Sequence, residues 1–378
     1  MSSLTRRRWD IFCQVIDNYG DIGVCWRLAR QLACEYGREI RLFVDDLAAF
    51  ERICPSARLA EMPFFESVEI RPWPESYTGI EPAEVVIEAF ACELPEGYRQ
   101  AMRGQTTAPV WINLEYLSAE DWVDDCHLLA SIAPDSGMKK TFFFPGFNAK
   151  TGGLIRESNL GDRKAVFHPQ KTAFLHAIGL PQHASENLLI SLFCYENPAL
   201  ASLLGAWQQA GQAITVIVPE GKALLALQPL LEQPLTIGNP IVLGSLTLLA
   251  IPFLSQTDYD HLLWCCDINF VRGEDSLVRG IWAEKPLVWH IYPQQEEAHL
   301  VKLDAFMTRQ LIHADAAFGA ALRELWQQWN IGGDCGASWA NCLEKREQWM
   351  DTVRKHATEL NSLGNVAAKL VQFCEKTI

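Results

Sequence analysis

The sequence predicts an α/β protein of two Rossmann-like domains facing across a cleft, and three observations carry that prediction. Short apolar runs alternate with amphipathic helical patterns through the first half, and a second such series begins near Leu188. Strands alternating with helices argue for a parallel sheet. At 378 residues the chain exceeds one ordinary core, which holds about 150 residues. Between the two series, from about Phe142 to Pro181, lies a punctuated, irregular stretch of the kind that connects domains.

In the first series Ile11, Phe12, Val15 and Ile16 make the apolar run of an opening strand. Ile22, Cys25, Leu28, Ala29 and Leu32 then recur at helical spacing. Ile40 to Val44 is the next strand, ending in Asp45 and Asp46, and Val85 to Glu88 and Val110 to Asn113 are further buried strands. In the second series Leu188 to Phe193 predicts a strand and Ala199 to Ala210 a helix. Ile214 to Val218, Leu246 to Ile251 and Ile268 to Phe270 predict strands, and Leu360 to Lys376 a last amphipathic helix. The expected division is residues 1–155 for the first domain, 156–183 for a linker and 184–359 for the second domain, with a closing helix over 360–378.

Composition bounds the function. Hydrophobic and charged contents of 49% and 21% are those of a soluble globular protein. A net charge of −14 counts against a nucleic-acid binder, which needs a basic footprint, and leaves room for a basic protein partner or a local basic pocket. No apolar run reaches the roughly 18 residues of a membrane span. Arg6-Arg7-Arg8 is followed by no apolar h-region, so a signal peptide is not expected. The 12 cysteines are scattered without CxxC spacing. Cys13, Cys25 and Cys34 sit in apolar patterns, and neither Cys265-Cys266 nor Cys335 with Cys342 forms a zinc-site pattern. The expected compartment is a reducing cytoplasm.

Two segments concentrate chemistry. Asp17-Asn18-Tyr19-Gly20-Asp21-Ile22-Gly23 puts two acids and two glycines after the first strand, where open α/β sheets bind ligands. Asp and Asn are also ordinary turn residues, and Asp21 suits an N-cap, so both readings stand. The absence of GxGxxG removes the dinucleotide fingerprint. Arg272-Gly273-Glu274-Asp275-Ser276 follows another strand and opens a helical pattern. With Ser276 or Asp275 as N-cap, the helix amides suit a phosphate and Arg272 adds charge for a diphosphate; the competing reading is a plain capping box.

Other motifs are weaker. Asp258-Tyr259-Asp260 has the DxD spacing of metal-dependent sugar transferases, but it opens a helix, where acids suit the macrodipole, and no metal is expected. The nine histidines include no HExxH, and no serine lies in a GxSxG elbow. Phe193, Tyr195, Phe253 and Trp289-His290-Ile291-Tyr292 cluster at strand ends near Gln256. Spacing leaves both a core and a nucleobase pocket open for them.

At these residues the sequence resembles the protein-arginine rhamnosyltransferases that modify bacterial translation elongation factor P. The resemblance covers nearly the whole chain. It rests on Trp9-Asp10-Ile11-Phe12-Cys13, the Val15 to Val24 segment, Trp26-Arg27-Leu28-Ala29-Arg30 and Asn113-Leu114-Glu115-Tyr116-Leu117-Ser118-Ala119-Glu120. It continues through Pro145-Gly146-Phe147, Thr151-Gly152-Gly153-Leu154-Ile155-Arg156-Glu157, Arg272 to Ser276, and Trp289-His290-Ile291-Tyr292-Pro293-Gln294.

The resemblance implies a GT-B glycosyltransferase fold with an acceptor-side N-terminal domain, a nucleotide-sugar-binding C-terminal domain, and a last helix packing back on the first domain. It also implies dTDP-β-L-rhamnose as donor, inversion at the anomeric carbon, no cofactor and no metal. The acceptor is an arginine of elongation factor P, which the modification activates for rescue of stalled ribosomes; no nucleic-acid or membrane partner is implied. The family's general base falls on Asp21, with Asp17 and Glu274 as further essential acids. Its donor-side positions fall on Tyr19, Gly20, Phe193, Tyr195, Phe253, Gln256, Arg272, Asp275, Ser276 and Tyr292. On the residues alone, a related enzyme with another sugar or acceptor, an epimerase, or a non-catalytic nucleotide-binding scaffold also fits.

Overall fold

The computed structural model describes residues 7–16, 19–57, 62–73, 79–134 and 137–377. The chain divides into two compact units, Met1–Ser158 with Leu360–Ile378, and Asn159–Glu359. The first unit is built on eight strands: β1 (Arg8–Cys13), β2 (Glu39–Val44), β3 (Phe64–Phe65), β4 (Val68–Pro72), β5 (Val85–Ala89), β6 (Val110–Leu114), β7 (Ala130–Ile132) and β8 (Lys139–Phe143). They lie in the order β3-β4-β2-β1-β5-β6-β8-β7. All neighbours are parallel except the edge pairs β3/β4 and β7/β8. Parallel strands covered on both faces need continuous apolar runs. Ile11 accordingly sits beside Leu42 and Ile87, and all three are fully buried.

One polar feature interrupts that core. Asp10 is fully buried on β1 and accepts both arms of Arg41, at 2.6 and 2.5 Å, together with the Ala83 amide at 3.1 Å and the Tyr98 hydroxyl. A buried carboxylate is tolerable only with such full satisfaction. Beside it, Phe12 stacks on Phe43 with centroids 4.5 Å apart.

The second unit carries β9 (Leu188–Leu192), β10 (Ile214–Pro219), β11 (Ile241–Leu243), β12 (Leu246–Ile251), β13 (Ile268–Arg272) and β14 (Leu287–His290). Their order is β11-β12-β10-β9-β13-β14, parallel except for β11 against β12. In each sheet the chain first builds to one side of its opening strand and then returns to the other. The switch points therefore fall between β1 and β5 and between β9 and β13. Ligands bind at the carboxyl ends of strands beside such points.

Three expectations need correction. The stretch expected to be irregular holds the helices Leu160–Phe167 and Lys171–Ala177. They bury only Leu160, Phe167 and Leu175, too few apolar positions to register as a periodic pattern. The single closing helix is two, Arg346–Ser362 and Val366–Thr377, because Gly364 takes a left-handed φ of 81°. Val366–Thr377 is held within the first unit: its Lys369 Nζ donates to the Thr151 carbonyl at 2.7 Å, and Arg38 pairs with Glu375. Val15 and Ile16 lie beyond β1, and Ile16 is exposed. Among the described residues no helix is long and apolar enough to cross a membrane.

Candidate active site

In the first unit the chain leaves β1 and enters the helix Gly20–Tyr36. Asp17 lies outside the described residues. Tyr19 occupies the N-cap position without a side-chain cap, Gly20 is the first helical residue, and the Gly23 amide donates to the Tyr19 carbonyl at 2.9 Å. Asp21 is thus not the N-cap that turn chemistry allowed. It sits in the first turn, only 3% exposed, and its Oδ2 accepts the Ile16 amide at 2.8 Å. The positive end of the helix macrodipole favours a carboxylate there. Burial and the Ile16 amide together hold this carboxylate in one orientation.

Across the switch point, the ends of β5 and β6 are also braced. Phe90, Ala91 and Glu93 all take positive φ, at 56°, 54° and 52°. Each such non-glycine residue costs about 1–2 kcal/mol unless its surroundings impose it. Asn113 accepts the Ala91 amide at 3.2 Å, Glu88 accepts the Glu93 amide at 3.2 Å, and Phe90 stacks on Tyr116 at 4.4 Å. The Asn113 to Tyr116 motif therefore fixes a strained loop. Glu157, by contrast, is structural: it lies 3.6 Å from Arg27 and 3.4 Å from Arg30, both on the helix Gly20–Tyr36.

In the second unit two of the residues expected on the donor side, Phe193 and Tyr195, meet Arg272, the last residue of β13. Its guanidinium lies 4.2 Å from the Phe193 centroid and 4.8 Å from that of Tyr195, and it donates to the Cys194 carbonyl at 3.1 Å. Phe193 to Tyr195 follow β9, the strand beside β13, so sheet order brings the two segments together. Tyr292 meets Tyr195 edge-on at 5.5 Å. Gln256, buried at the start of the helix Gln256–Cys265, donates to Asp275 at 3.2 Å. Phe253 is half-buried just beyond β12.

The N-cap expectation at this turn is also corrected. The helix is Asp275–Ala283, its N-cap position is Glu274, and the Glu274 side chain does not cap it. Gly273 turns the chain with φ 57°, and the helix starts one residue before the Asp275 cap would place it and two before the Ser276 cap would. The Ser276 hydroxyl accepts the Arg272 amide at 2.8 Å and donates to the Arg272 carbonyl. Ser276 locks the turn that presents Arg272, and no capping box forms.

The DxD acids have structural partners. Asp260 is buried between Arg279, at 2.7 Å, and Arg163, at 3.6 Å, while Asp258 accepts the Ser255 hydroxyl at 2.8 Å. Tyr259 between them packs on Phe193 at 5.3 Å, and burial pushes its hydroxyl well above the ordinary tyrosine range. Among the described residues no group of three or more His, Cys, Asp or Glu gathers as a ligand set.

Two residues near Arg272 escaped notice as individual contributors. His290 ends β14 and packs edge-on against Tyr195 at 5.2 Å. Burial, with Arg272 and His299 nearby, lowers its pKa to about 3, so the ring is neutral. Lys222 follows β10, with its Nζ 5.4 Å from the Tyr195 centroid. The Gly221-Lys222 step after an apolar strand was the available signal.

Comparison with known proteins fits this geometry. The model of the family described as elongation-factor P (EF-P) rhamnosyltransferase EarP matches residues 9–375. A protein-arginine rhamnosyltransferase of Pseudomonas putida is 48% identical over 375 residues, covering 98% of this chain and 99% of that protein. A solved structure concerning EarP-mediated arginine glycosylation of EF-P superposes with TM-score 0.72 at 33% identity, over 98% of this chain and 100% of that one. A UGT transferase from Siraitia grosvenorii, solved with UDP, has TM-score 0.53 at 10% identity over 98% of this chain and 99% of its own; it shows the GT-B fold alone. The chain belongs to the EarP family, the protein-arginine rhamnosyltransferases of elongation factor P.

Proposed function

We propose that the protein transfers L-rhamnose from dTDP-β-L-rhamnose to an arginine side chain of elongation factor P, inverting the anomeric carbon and using no metal. The second unit, 159–359, is then the nucleotide-sugar unit and the first the acceptor unit. The observation that carries the reading is the Arg272 guanidinium, held between Phe193 and Tyr195 at a switch point of a GT-B fold. A fixed guanidinium suits a diphosphate, and the aromatic rings around it suit a nucleobase.

The acceptor sets the chemical problem. A guanidinium stays protonated, with a pKa above about 12, and is a poor nucleophile. Asp21 takes a proton from one guanidinium nitrogen as that nitrogen bonds to the anomeric carbon. The bond from that carbon to the diphosphate oxygen breaks, and its electron pair leaves with the diphosphate. Attack from the face opposite the leaving group inverts the carbon. Asp17 and Glu274 pair with the remaining guanidinium nitrogens, orienting the nucleophile and polarising it. Arg272 and the amides of Asp275 and Ser276 stabilise the charge that grows on the diphosphate, the role an ion has in metal-dependent transferases. Tyr19, Gly20, Phe253, Gln256 and Tyr292 complete the donor contacts.

The test is direct. The protein is incubated with dTDP-β-L-rhamnose and elongation factor P, and peptides are searched by mass spectrometry for a deoxyhexose on arginine. Donor hydrolysis beside an unmodified factor would point to another acceptor, and no turnover of any nucleotide sugar would point to a scaffold. Activity abolished by a chelator would overturn the metal-free mechanism.

A further inference from the structure

We infer that Lys222 is a second cationic contact for the diphosphate of the nucleotide sugar, working beside Arg272. The inference rests on the reading of the second unit as the donor unit, and it adds a residue that no motif singled out. β10 neighbours β9, so the segment after β10 emerges beside Phe193 to Tyr195. Past Pro219 the chain turns through Gly221 at φ 145° and ψ −155°, a conformation essentially restricted to glycine. A Cβ at Gly221 would meet nothing within 4 Å. The glycine is therefore required for its backbone angles and not for space, and those angles aim the next residue.

That residue is half-buried, with its Nζ 5.4 Å from the Tyr195 centroid, while Arg272 faces the same ring at 4.8 Å. No carboxylate forms an ion pair with Lys222 among the described residues. Two cations on one aromatic ring repel each other, and the arrangement becomes favourable when a multiply charged anion joins them. A diphosphate supplies that charge on two adjacent phosphate groups. Arg272, planar and stacked, offers a fixed fork to one; Lys222, a compact point charge on a flexible stem, follows the other as the bond to sugar breaks.

The experiment uses the full chain and titrates it calorimetrically with thymidine diphosphate and, separately, with thymidine. The proteins are the parent, Lys222→Ala, Lys222→Arg and Arg272→Ala, each checked by its thermal midpoint. Lys222→Ala is expected to weaken thymidine diphosphate about tenfold, the size of one partly exposed charge-assisted contact. It should leave thymidine unchanged, and Lys222→Arg should recover most of the loss. If Lys222→Ala bound the diphosphate like the parent while Arg272→Ala lost it, the inference would fail and the donor-unit reading would survive. Equal losses for both ligands would move Lys222 to the base and also overturn the inference. A parent protein that bound the diphosphate no better than thymidine would overturn the donor-unit reading, and the inference with it.

Discussion

Arg272→Lys keeps the charge and removes the shape, so it tests the geometry of the site and not merely its sign. The guanidinium contacts two rings, at 4.2 and 4.8 Å, and one carbonyl at 3.1 Å, with only 8% exposure. Each ring contact is worth about 0.5–1 kcal/mol, and a hydrogen bond from a charged donor about 1.5 kcal/mol or more. A lysine keeps part of the attraction to the rings and cannot span both with a plane. The expected net loss of folding stability is about 2 kcal/mol, or roughly 4–8 °C in the midpoint for a unit of this size. Measuring the first effect in the absence of donor keeps the stability loss separate from the binding loss. Replacing the fork by a point charge should weaken thymidine diphosphate by about tenfold more. Thermal and denaturant unfolding of the full chain read the first effect, and calorimetric titration reads the second. A variant with the parent's midpoint and the parent's affinity would refute the reasoning.

Other outcomes follow from the same structure. Asp21→Asn should lower single-turnover transfer by about 10²–10⁴ with donor affinity unchanged, as for loss of a general base; near-parent transfer would remove Asp21 from that role. Asp10→Asn leaves Arg41 buried without its carboxylate and should destabilise the first unit by about 3–5 kcal/mol in denaturant titration. Stability should also fall in acid. Burial lowers His290 to about 3 and His356 to about 4, against an ordinary 6.5. Between those values the unfolded chain binds more protons than the folded one, so this stability is complete above pH 6.5 and is lost as pH falls towards 4 and then 3. Each histidine contributes a slope of about 1.4 kcal/mol per pH unit in its window, and His290→Gln should flatten the midpoint-versus-pH curve there.

The strands β1, β2, β5, β6, β9, β10, β12 and β13 were legible because burial on both faces forces uninterrupted apolar runs, and Leu246 to Ile251 coincides with β12 from end to end. The strands β3, β4, β7, β8, β11 and β14 were not read as strands. Helix ends were less legible. Asp21 and Ser276 are good capping residues by type, yet Asp21 sits inside its helix holding the Ile16 amide, and Ser276 turns back to the Arg272 backbone. The helices over 160–177 escaped because each buries one or two residues, and the closing helix was drawn through Gly364 because apolar spacing continues on either side of the break. A local pattern reports what one stretch can do, and neighbours select among the possibilities.

The sequence by itself determined two parallel α/β series and acids or cations at strand ends, since both follow from periodicity and from the residues next to it. Its long motifs also carried the family. Only the tertiary structure decided which strand ends meet. Arg272 reaches Phe193 and Tyr195 from nearly eighty positions away, and Lys222 reaches the same ring from β10. Those meetings depend on strand order, which the packing of the whole sheet chooses and no single segment encodes. The same packing gave Asp260 of the DxD to Arg279 and tied Glu157 to the first helix, so an acid's residue type alone does not tell whether it serves the fold.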